Sequence, residues 1–268
     1  MAIERYIQRK EPFQKSPNYQ PKKNIIVGRN PVIEALRAHQ MIDKIMLLKS
    51  ATGESINDIR LLAKETNTPI QFVPIEKLNG ITNIQHQGVV AFKASVQYQD
   101  LQQVIDWVIS NGETPLFLML DGVTDVRNIG AIARSAVCCG AQAIIIADKG
   151  VGALNEDAVK SSAGALEMVQ VCRVNNLSKA VETLHLNGIK LCASEMRARK
   201  KIYELDLAIP CCFVMGNEEK GIGKSLLDLA DEPFTIPMSG KFDSFNVSVA
   251  AGIILYEAMK QRQTENAG

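Results

Sequence analysis

Polar side chains and glycines follow short apolar runs at three places in the sequence, and these places are the candidates for chemistry. The first is the segment 121–136, DGVTDVRNIGAIARSA, which comes directly after the run LFLML. Amide and guanidinium groups such as those of Asn128 and Arg134 can bind hydroxyl and phosphate oxygens. However, Asn128 also stands where a helix cap is expected, and an arginine off the apolar stripe of a helix is usually only solvated. The spacing alone favours these structural interpretations.

The second candidate is the segment 213–225, FVMGNEEKGIGKS, in which an apolar strand runs into a glycine-rich turn. Glycine lets the backbone approach a ligand closely or adopt a positive φ. A phosphate loop of the GxxxxGKS/T type is excluded, because it would need glycine where Glu218 stands. Glu218 or Glu219 can accept hydrogen bonds from a cationic or hydroxyl-bearing ligand, and the alternative is that each is a plain loop acid.

The third candidate is the segment 234–262, FTIPMSGKFDSFNVSVAAGIILYEAMKQR. The helix expected after Asn246 is apolar on nearly every side until Tyr256, which predicts burial against a sheet or a partner subunit. Ser244 and Asn246 compete for the cap of this helix. Only one of them can be the cap, so the polar group of the other is available to bind a ligand.

A dinucleotide site is a weaker candidate. Gly150-Val151-Gly152 follows the apolar run AIIIA, but Asn155 stands where the third glycine of the GxGxxG fingerprint is required. The chain has three histidines, His39, His86 and His185, and all lie outside these segments. Catalysis by a histidine acid or base is therefore not indicated.

The elements that must position these segments form two α/β units. From 114 to 268, apolar strands without a polar face alternate with helices, which predicts a mainly parallel sheet with helices on both sides. Ligands of such sheets bind beyond the carboxyl ends of the strands. A smaller α/β unit is expected over 24–95, and we place a linker at 96–113, although its apolar residues have helical spacing.

Composition excludes several classes of protein. The formal net charge of +1 gives the whole protein no strong attraction to nucleic acid or anionic membranes, so any basic surface must be local. Such an excess occurs in residues 1–23, which we interpret as a flexible basic tail; the alternative is a solvated terminus without a role. No apolar run is long enough to span a membrane. The cysteines lack zinc-like spacing and stand in adjacent pairs or alone among aliphatic residues, which predicts a cytoplasmic protein with reduced thiols and no metal.

Taken together, NIGAIAR at 128–134, GNEEKGI at 216–222 and IPMSGKFDSFNVSVAAG at 236–252 closely resemble the three signature motifs of the SpoU (TrmH) family of RNA 2′-O-methyltransferases. Upstream, VGRNPVIEAL at 27–36 and HQGVVA at 86–91 resemble the substrate-binding domain of the same family, which is similar to a small ribosomal-protein fold. This arrangement looks most like the members that methylate a guanosine in bacterial large-subunit ribosomal RNA.

The resemblance implies a fold, a cofactor and an assembly. It predicts a ribosomal-protein-like RNA-binding domain at 24–95 and, at 114–268, a SPOUT-type α/β methyltransferase domain with a trefoil knot. S-adenosylmethionine is the expected cofactor, and the expected partners are RNA, ribosomal RNA in particular, and a second copy of the chain that shares the active site. The motifs depart from the family at Glu219, where glycine is usual, and at Phe245, where leucine is usual.

The resemblance also implies roles for eleven residues. Arg134 is the expected catalytic residue, and four polar residues are expected to order the site: Asn128, Glu218, Ser244 and Asn246. The cofactor is expected to lie against six further residues: Gly216, Asn217, Ile236, Met238, Phe245 and Val247. The alternatives are a transfer RNA methyltransferase, an inactive RNA-binding protein and, on the incomplete glycine motif at 150–152, an oxidoreductase.

Overall fold

The computed structural model describes residues 25–66, 68–152, 154, 156–217, 219–240 and 244–265. The predicted basic tail at 1–23 lies outside the described residues, and so does Glu218.

The first domain is a four-stranded sheet with helices on both faces. Its strands have the order β1-β4-β2-β3, with β2 and β3 parallel and the other neighbours antiparallel. Its elements are β1 Ile25–Val27, α1 Arg29–Arg37, β2 Ile42–Leu48, α2 Glu54–Glu65, β3 Ile70–Val73, α3 Ile75–Asn79 and β4 Val89–Lys93. Because side chains alternate along a strand, Ile45 and Leu47 pack against α1 and α2, whereas Met46 packs against α3.

The second domain is built on an eight-stranded sheet in which every neighbouring pair is parallel. The strand order is β10-β12-β9-β11-β6-β7-β8-β5. Its strands are β5 Tyr98–Gln99, β6 Leu116–Leu120, β7 Ala143–Ala147, β8 Gln170–Val174, β9 Lys190–Ser194, β10 Lys200–Lys201, β11 Cys211–Met215 and β12 Glu232–Thr235. Its helices are α4 Leu101–Ser110, α5 Val126–Cys138, α6 Glu156–Ser161, α7 Ala165–Met168, α8 Leu177–Leu186, α9 Lys224–Leu227 and α10 Val247–Glu265.

Helices cover both faces of this sheet, as the sequence predicted. Leu116, Leu118 and Leu120 of β6 pack against α5 and α10. Phe117 and Met119, which point the other way, pack against α4 and α8. Every residue of β6 is buried, so the strand needs no polar face. None of the helices in the described ranges combines the length and the apolar character that crossing a bilayer requires.

The segment 96–113, which the sequence suggested as a linker, contributes to the second domain. Strand β5 pairs with β8 at the edge of the large sheet. Helix α4 buries Leu101, Val104, Ile105 and Val108 against the same sheet. The helical spacing of these residues was visible in the sequence; their tertiary partners, which lie tens of residues further along the chain, were not.

Arg262 fixes the end of α10 to the sheet. Its Nε donates to the carbonyl of Leu207 at 2.9 Å, and its Nη1 donates to the carbonyl of Thr114 at 2.7 Å. Its Nη2 donates to the carbonyls of Pro115 and Ile209, each at 2.9 Å. These carbonyls belong to the segments that lead into β6 and β11. Charge-assisted bonds of this kind are stronger than neutral ones, so the last helix is held firmly at its far end.

Candidate active site

The first two motifs begin at the same edge of the sheet. Strands β6 and β11 are parallel neighbours, with Leu120 opposite Met215. The backbone N–H of Asp121 extends this ladder by donating to the carbonyl of Met215 at 2.9 Å. The loops that follow the two strands therefore start side by side.

Two side chains tie these loops together. Asn217 Nδ2 donates to the carbonyl of Gly122 at 2.9 Å, and the N–H of Gly223 donates to Asp121 Oδ2 at 2.7 Å. Asn217 Oδ1 also accepts the N–H groups of Glu219 at 2.9 Å and Lys220 at 3.2 Å. The side chain of Asn217 thus organises the second motif, and its contact with the cofactor stays a prediction.

The second motif also requires glycine at 216. The loop doubles back, with paired backbone hydrogen bonds between Asn217 and Gly221 at 3.1 and 2.8 Å. A Cβ atom at Gly216 would lie 2.2 Å from the carbonyl carbon of Gly221 and 2.3 Å from the nitrogen of Ile222. Any side chain at 216 would force the loop open.

Asn128 and Asn246 bring the first and third motifs together. Asn246 Nδ2 donates to Asn128 Oδ1 at 3.3 Å. Asn246 Oδ1 accepts the N–H of Ser248 at 2.9 Å and its hydroxyl at 2.6 Å, which makes Asn246 the cap of α10. Of the two competing cap candidates, Ser244 is the one left exposed, with its polar group available to a ligand.

The expectation that Asn128 caps the helix that follows it was wrong. Helix α5 begins at Val126, and its cap is Asp125, whose carboxylate accepts the N–H of Arg127 at 2.8 Å. The Arg127 guanidinium bonds the same carboxylate at 2.9 Å and holds the pKa of Asp125 below its ordinary value. Because Asp125 supplies the cap, the side chain of Asn128 can reach across to α10.

Arg134 lies on α5 with its side chain exposed to solvent. Arg127 occupies the same stripe of the helix, because residues seven apart are separated by about two turns. Arg127 is also exposed, although Asp125 pairs with it. The first motif therefore presents two cations on one outward stripe. The prediction named only Arg134, and the seven-residue spacing was the signal for Arg127.

The remaining predicted cofactor residues lie in or beside the third motif. Ile236 and Phe245 line a groove of about 630 Å³, and Met238 is exposed. Val247 is buried in the core between α5 and α10, so its side chain fixes the start of α10.

The glycine motif at 150–152 packs against the first motif. The N–H of Gly152 donates to the carbonyl of Val123 at 3.1 Å, and a Cβ there would lie 2.3 Å from the carbonyl oxygen of Thr124. Close packing of two loops thus explains Gly152 without a nucleotide. Within the described ranges, no group of three or more His, Cys, Asp or Glu residues is arranged to hold a metal ion.

Comparison with known proteins identifies the family. Residues 115–256 match the model of the SpoU rRNA Methylase family, and residues 25–99 match the model described as RNA 2′-O ribose methyltransferase substrate binding. The chain belongs to the SpoU methylase family. It is an S-adenosylmethionine-dependent RNA methyltransferase with an N-terminal substrate-binding domain, which confirms the family, the enzyme class and the cofactor that the resemblance implied.

Its relatives include the putative TrmH family tRNA/rRNA methyltransferase YacO of Bacillus subtilis, which is 34% identical over 237 residues. The match covers 95% of that protein and 88% of this chain. A putative TrmH family tRNA/rRNA methyltransferase of Staphylococcus saprophyticus is 33% identical, over 89% of this chain and 96% of its own. Among solved structures, the SpoU methyltransferase AviRb of Streptomyces viridochromogenes in complex with AdoMet has a TM-score of 0.58 at 23% identity, covering 90% of both chains. That likeness concerns the fold.

The residues of this SpoU methylase fit its cofactor. The segments 236–240 and 244–245 lie outside helices and strands, so their main chain takes part in no helix or sheet ladder, and the apolar side chains of Ile236, Met238 and Phe245 belong to the same segments. Apolar walls with a few convergent polar groups are typical of pockets for small uncharged rings such as adenine. The second motif adds the main chain of Gly216, beside which no side chain fits.

Asn217→Ala is expected to destabilise the loop that carries the second motif. It leaves the Gly122 carbonyl and two N–H groups without their partner, and each such loss costs about 1 to 3 kcal/mol where water cannot replace it. We expect a lower urea midpoint and weaker S-adenosylmethionine binding in calorimetry. Asn57→Ala, at an exposed position of α2, is the control and should change neither. Unchanged cofactor affinity in Asn217→Ala would contradict the role of this side chain in organising the loop.

Proposed function

We propose that this SpoU methylase transfers the methyl group of S-adenosylmethionine to the 2′-hydroxyl of a guanosine ribose in large-subunit ribosomal RNA. The observation that carries the proposal is the Asn246 to Asn128 hydrogen bond, because it places the helix of Arg134 beside the third motif. The family models, whose descriptions name rRNA and 2′-O ribose methylation, support the substrate class.

Methyl transfer to a hydroxyl is an in-line displacement, so alignment is the main service of the protein. Good alignment is worth up to about 7 to 11 kcal/mol. When bound, the cofactor supplies a methyl group activated by its sulfonium. The main chain around Gly216, Ile236 and Phe245 would hold the cofactor, while Asn128, Ser244 and Asn246 would order the groups around the ribose. Glu218 is assigned the same ordering role from the motif alone.

Arg134 acts as an electrostatic group in this proposal. A guanidinium remains protonated in proteins, so it is a poor base. Its side chain is exposed at the surface of α5, where it can hold the phosphate next to the target ribose and stabilise the developing alkoxide. The hydroxyl proton would leave to phosphate or water as the carbon–oxygen bond forms and the carbon–sulfur bond of the donor breaks, with S-adenosylhomocysteine as the leaving group.

Arg134→Ala is expected to lower kcat by about 100 to 1,000-fold, the scale of losing one positioned donor. Asn128→Ala should lose activity on a similar scale. Arg134→Lys keeps the charge but lacks the planar fork, so it should also be impaired. Single-turnover transfer of labelled methyl groups measures these effects.

Arg127→Ala is the matched control for Arg134, because it removes an exposed arginine from the same helix stripe. We expect a clearly smaller loss of kcat, with any effect appearing in the KM for RNA. A value of kcat for Arg134→Lys equal to that of the wild type would contradict the requirement for bidentate geometry.

The substrate is tested by incubating the enzyme with methyl-labelled S-adenosylmethionine and either unmodified large-subunit ribosomal RNA or transfer RNA. A 2′-O-methyl group makes the following phosphodiester resistant to alkali. One resistant site after a guanosine in ribosomal RNA is the expected result. Label only in transfer RNA would replace the substrate, label on a base would overturn the ribose chemistry, and no label in either RNA would favour an inactive RNA-binding protein.

We also propose that the enzyme works as a homodimer. Helix α10 buries one face against α5, but Val249 and Tyr256 on its other face are 50% and 59% exposed in the single chain. Both line the groove of Ile236 and Phe245, so an apolar surface continues directly from the third motif. Exposed apolar surface of this kind is typical of subunit interfaces. A second copy bound to this surface would lie next to the third motif, as an active site shared by two subunits requires.

Val249→Glu is expected to convert the dimer into a monomer, because it places a charge in the proposed interface. Sedimentation equilibrium measures the mass. Leu186→Glu, at an 87% exposed apolar position on α8, is the control and should leave the mass unchanged. A monomeric wild type, or a dimeric Val249→Glu variant, would contradict the interface.

We place the activity in the cytoplasm. All six cysteines are free thiols. Burial raises the pKa of Cys172 to about 12, which leaves little thiolate for oxidation. Cys172, Cys192, Cys211 and Cys212 are buried, whereas Cys138 is exposed. Reduced thiols are typical of cytoplasmic proteins.

A further inference from the structure

Three side chains join the two domains. Arg173, on β8 of the large sheet, donates from Nη1 to the carbonyl of Asp43 at 2.6 Å and to its carboxylate at 3.3 Å. Its Nη2 donates to the carbonyl of Ile42 at 3.3 Å. Tyr98, on β5, donates its hydroxyl to the same Asp43 carboxylate at 2.8 Å. The Arg173 guanidinium lies 3.9 Å from the centre of the Tyr98 ring. We call these three residues the domain lock.

Asp43 reaches this position because of an irregularity in β2. Ile42 pairs with Lys93 of β4, but Lys44 pairs with the adjacent Phe92, so Asp43 is the extra residue of a β-bulge. A bulge breaks the alternation of side chains and redirects one of them. Here the redirected side chain is the carboxylate that meets Arg173.

The lock is buried and its polar groups are paired with one another. The side chains of Arg173 and Asp43 are 11% and 15% exposed. Burial, together with the negative charge of Asp43, raises the pKa of Tyr98, so its phenol stays protonated and donates. A buried network of charged hydrogen bonds is costly to disrupt, and it favours a single arrangement of the parts that it joins.

The lock stands at the wall of a cleft of about 350 Å³ between the domains. The small domain contributes Lys44 and Gln71, and the large domain contributes the loop 148–152. The opposite charges of Asp43 and Arg173 cancel. The other charged side chains that line the cleft are Lys44, Lys149 and Asp148, so positive charge exceeds negative charge there. The far end of the loop contacts the segment that leads into the first motif, through the Gly152 hydrogen bond to the carbonyl of Val123 at 3.1 Å. The cleft therefore leads from the small domain towards the loop before Asn128 and Arg134.

We propose that the domain lock is a positioning device for the RNA: it fixes the substrate-binding domain so that RNA held there passes through this cleft to the first motif. Arg173, Asp43 and Tyr98 are positioning residues and do not take part in methyl transfer. The part of this inference that concerns RNA rests on the proposed function.

Arg173→Ala in the full chain tests the lock. Without it the domains sample many orientations, and an apparent affinity falls in proportion to the competent fraction, so a competent fraction of about one tenth raises the KM for ribosomal RNA about tenfold. We expect kcat at saturating RNA and the dissociation constant of S-adenosylmethionine to stay at wild-type values. Small-angle X-ray scattering should show a larger radius of gyration.

Two further variants test the rise in the KM for RNA: one is expected to give an intermediate value, and the other is a control. Tyr98→Phe keeps the ring under the guanidinium but removes one hydrogen bond, so its KM for RNA should lie between wild type and Arg173→Ala. It also serves if Arg173→Ala fails to fold. Lys179→Ala removes a positive charge from an exposed position of the same domain and should leave both KM and the radius of gyration unchanged. An equal rise of KM in Lys179→Ala would mean that net charge, and not the lock, sets RNA affinity, which would overturn the proposal.

The failure of this inference is distinguishable from failure of the proposed function. If the wild type methylates no RNA, the proposed function fails, and the scattering comparison still tests the lock. If the wild type is active and Arg173→Ala has the same KM for RNA and the same radius of gyration, the lock is overturned. A loss of S-adenosylmethionine affinity in Arg173→Ala equal to its loss of RNA affinity would also overturn it, because the residue would then support the catalytic core.

Discussion

The candidate active site depends on the parallel pairing of β6 with β11. Because both strands end at the same edge, two loops far apart in sequence begin within hydrogen-bonding distance, and Asp121 and Asn217 can each bond the main chain of the opposite loop. A parallel pair is the arrangement that provides this, since an antiparallel partner would end at the opposite edge. The position of the first motif is thus set by backbone pairing before any functional side chain is considered.

The third motif is fixed differently, through the two ends of α10. Arg262 binds main-chain carbonyls at the amino edge of the sheet, while Asn246 caps the helix and bonds Asn128 at the opposite edge. Between these points the helix buries Ala251, Ile254 and Leu255 against the core shared with α5. A helix held at both ends and along one face keeps its cap at a fixed position relative to α5. Alignment of a reacting hydroxyl requires such a fixed position.

The sequence was sufficient for the parts of this structure that follow from local pattern. Strands without a polar face predicted a parallel sheet between two helical layers, and the apolar run after Asn246 predicted the burial of α10. It was insufficient where two residues are equally suited to one role. Asp125 and Asn128 are both good caps, and only the tertiary contact of Asn128 with Asn246 distinguishes them. Arg173 gave no signal at all, because its partner Asp43 lies 130 residues away and is aimed at it by a bulge.

The domain lock has a consequence for the modularity of such enzymes. Arg173 binds the small domain largely through the carbonyls of Ile42 and Asp43, so this contact depends on the main-chain path of β2 more than on the identity of its side chains. Many substitutions in β2 leave that path intact, whereas one residue gained or lost there shifts the bulge and flips the strand's faces. A substrate-binding domain exchanged between relatives would dock on this catalytic domain only if it carried its bulge at the same point of the strand. The compatibility of the two domains therefore depends on the register of this strand, which a comparison of surface residues would not reveal.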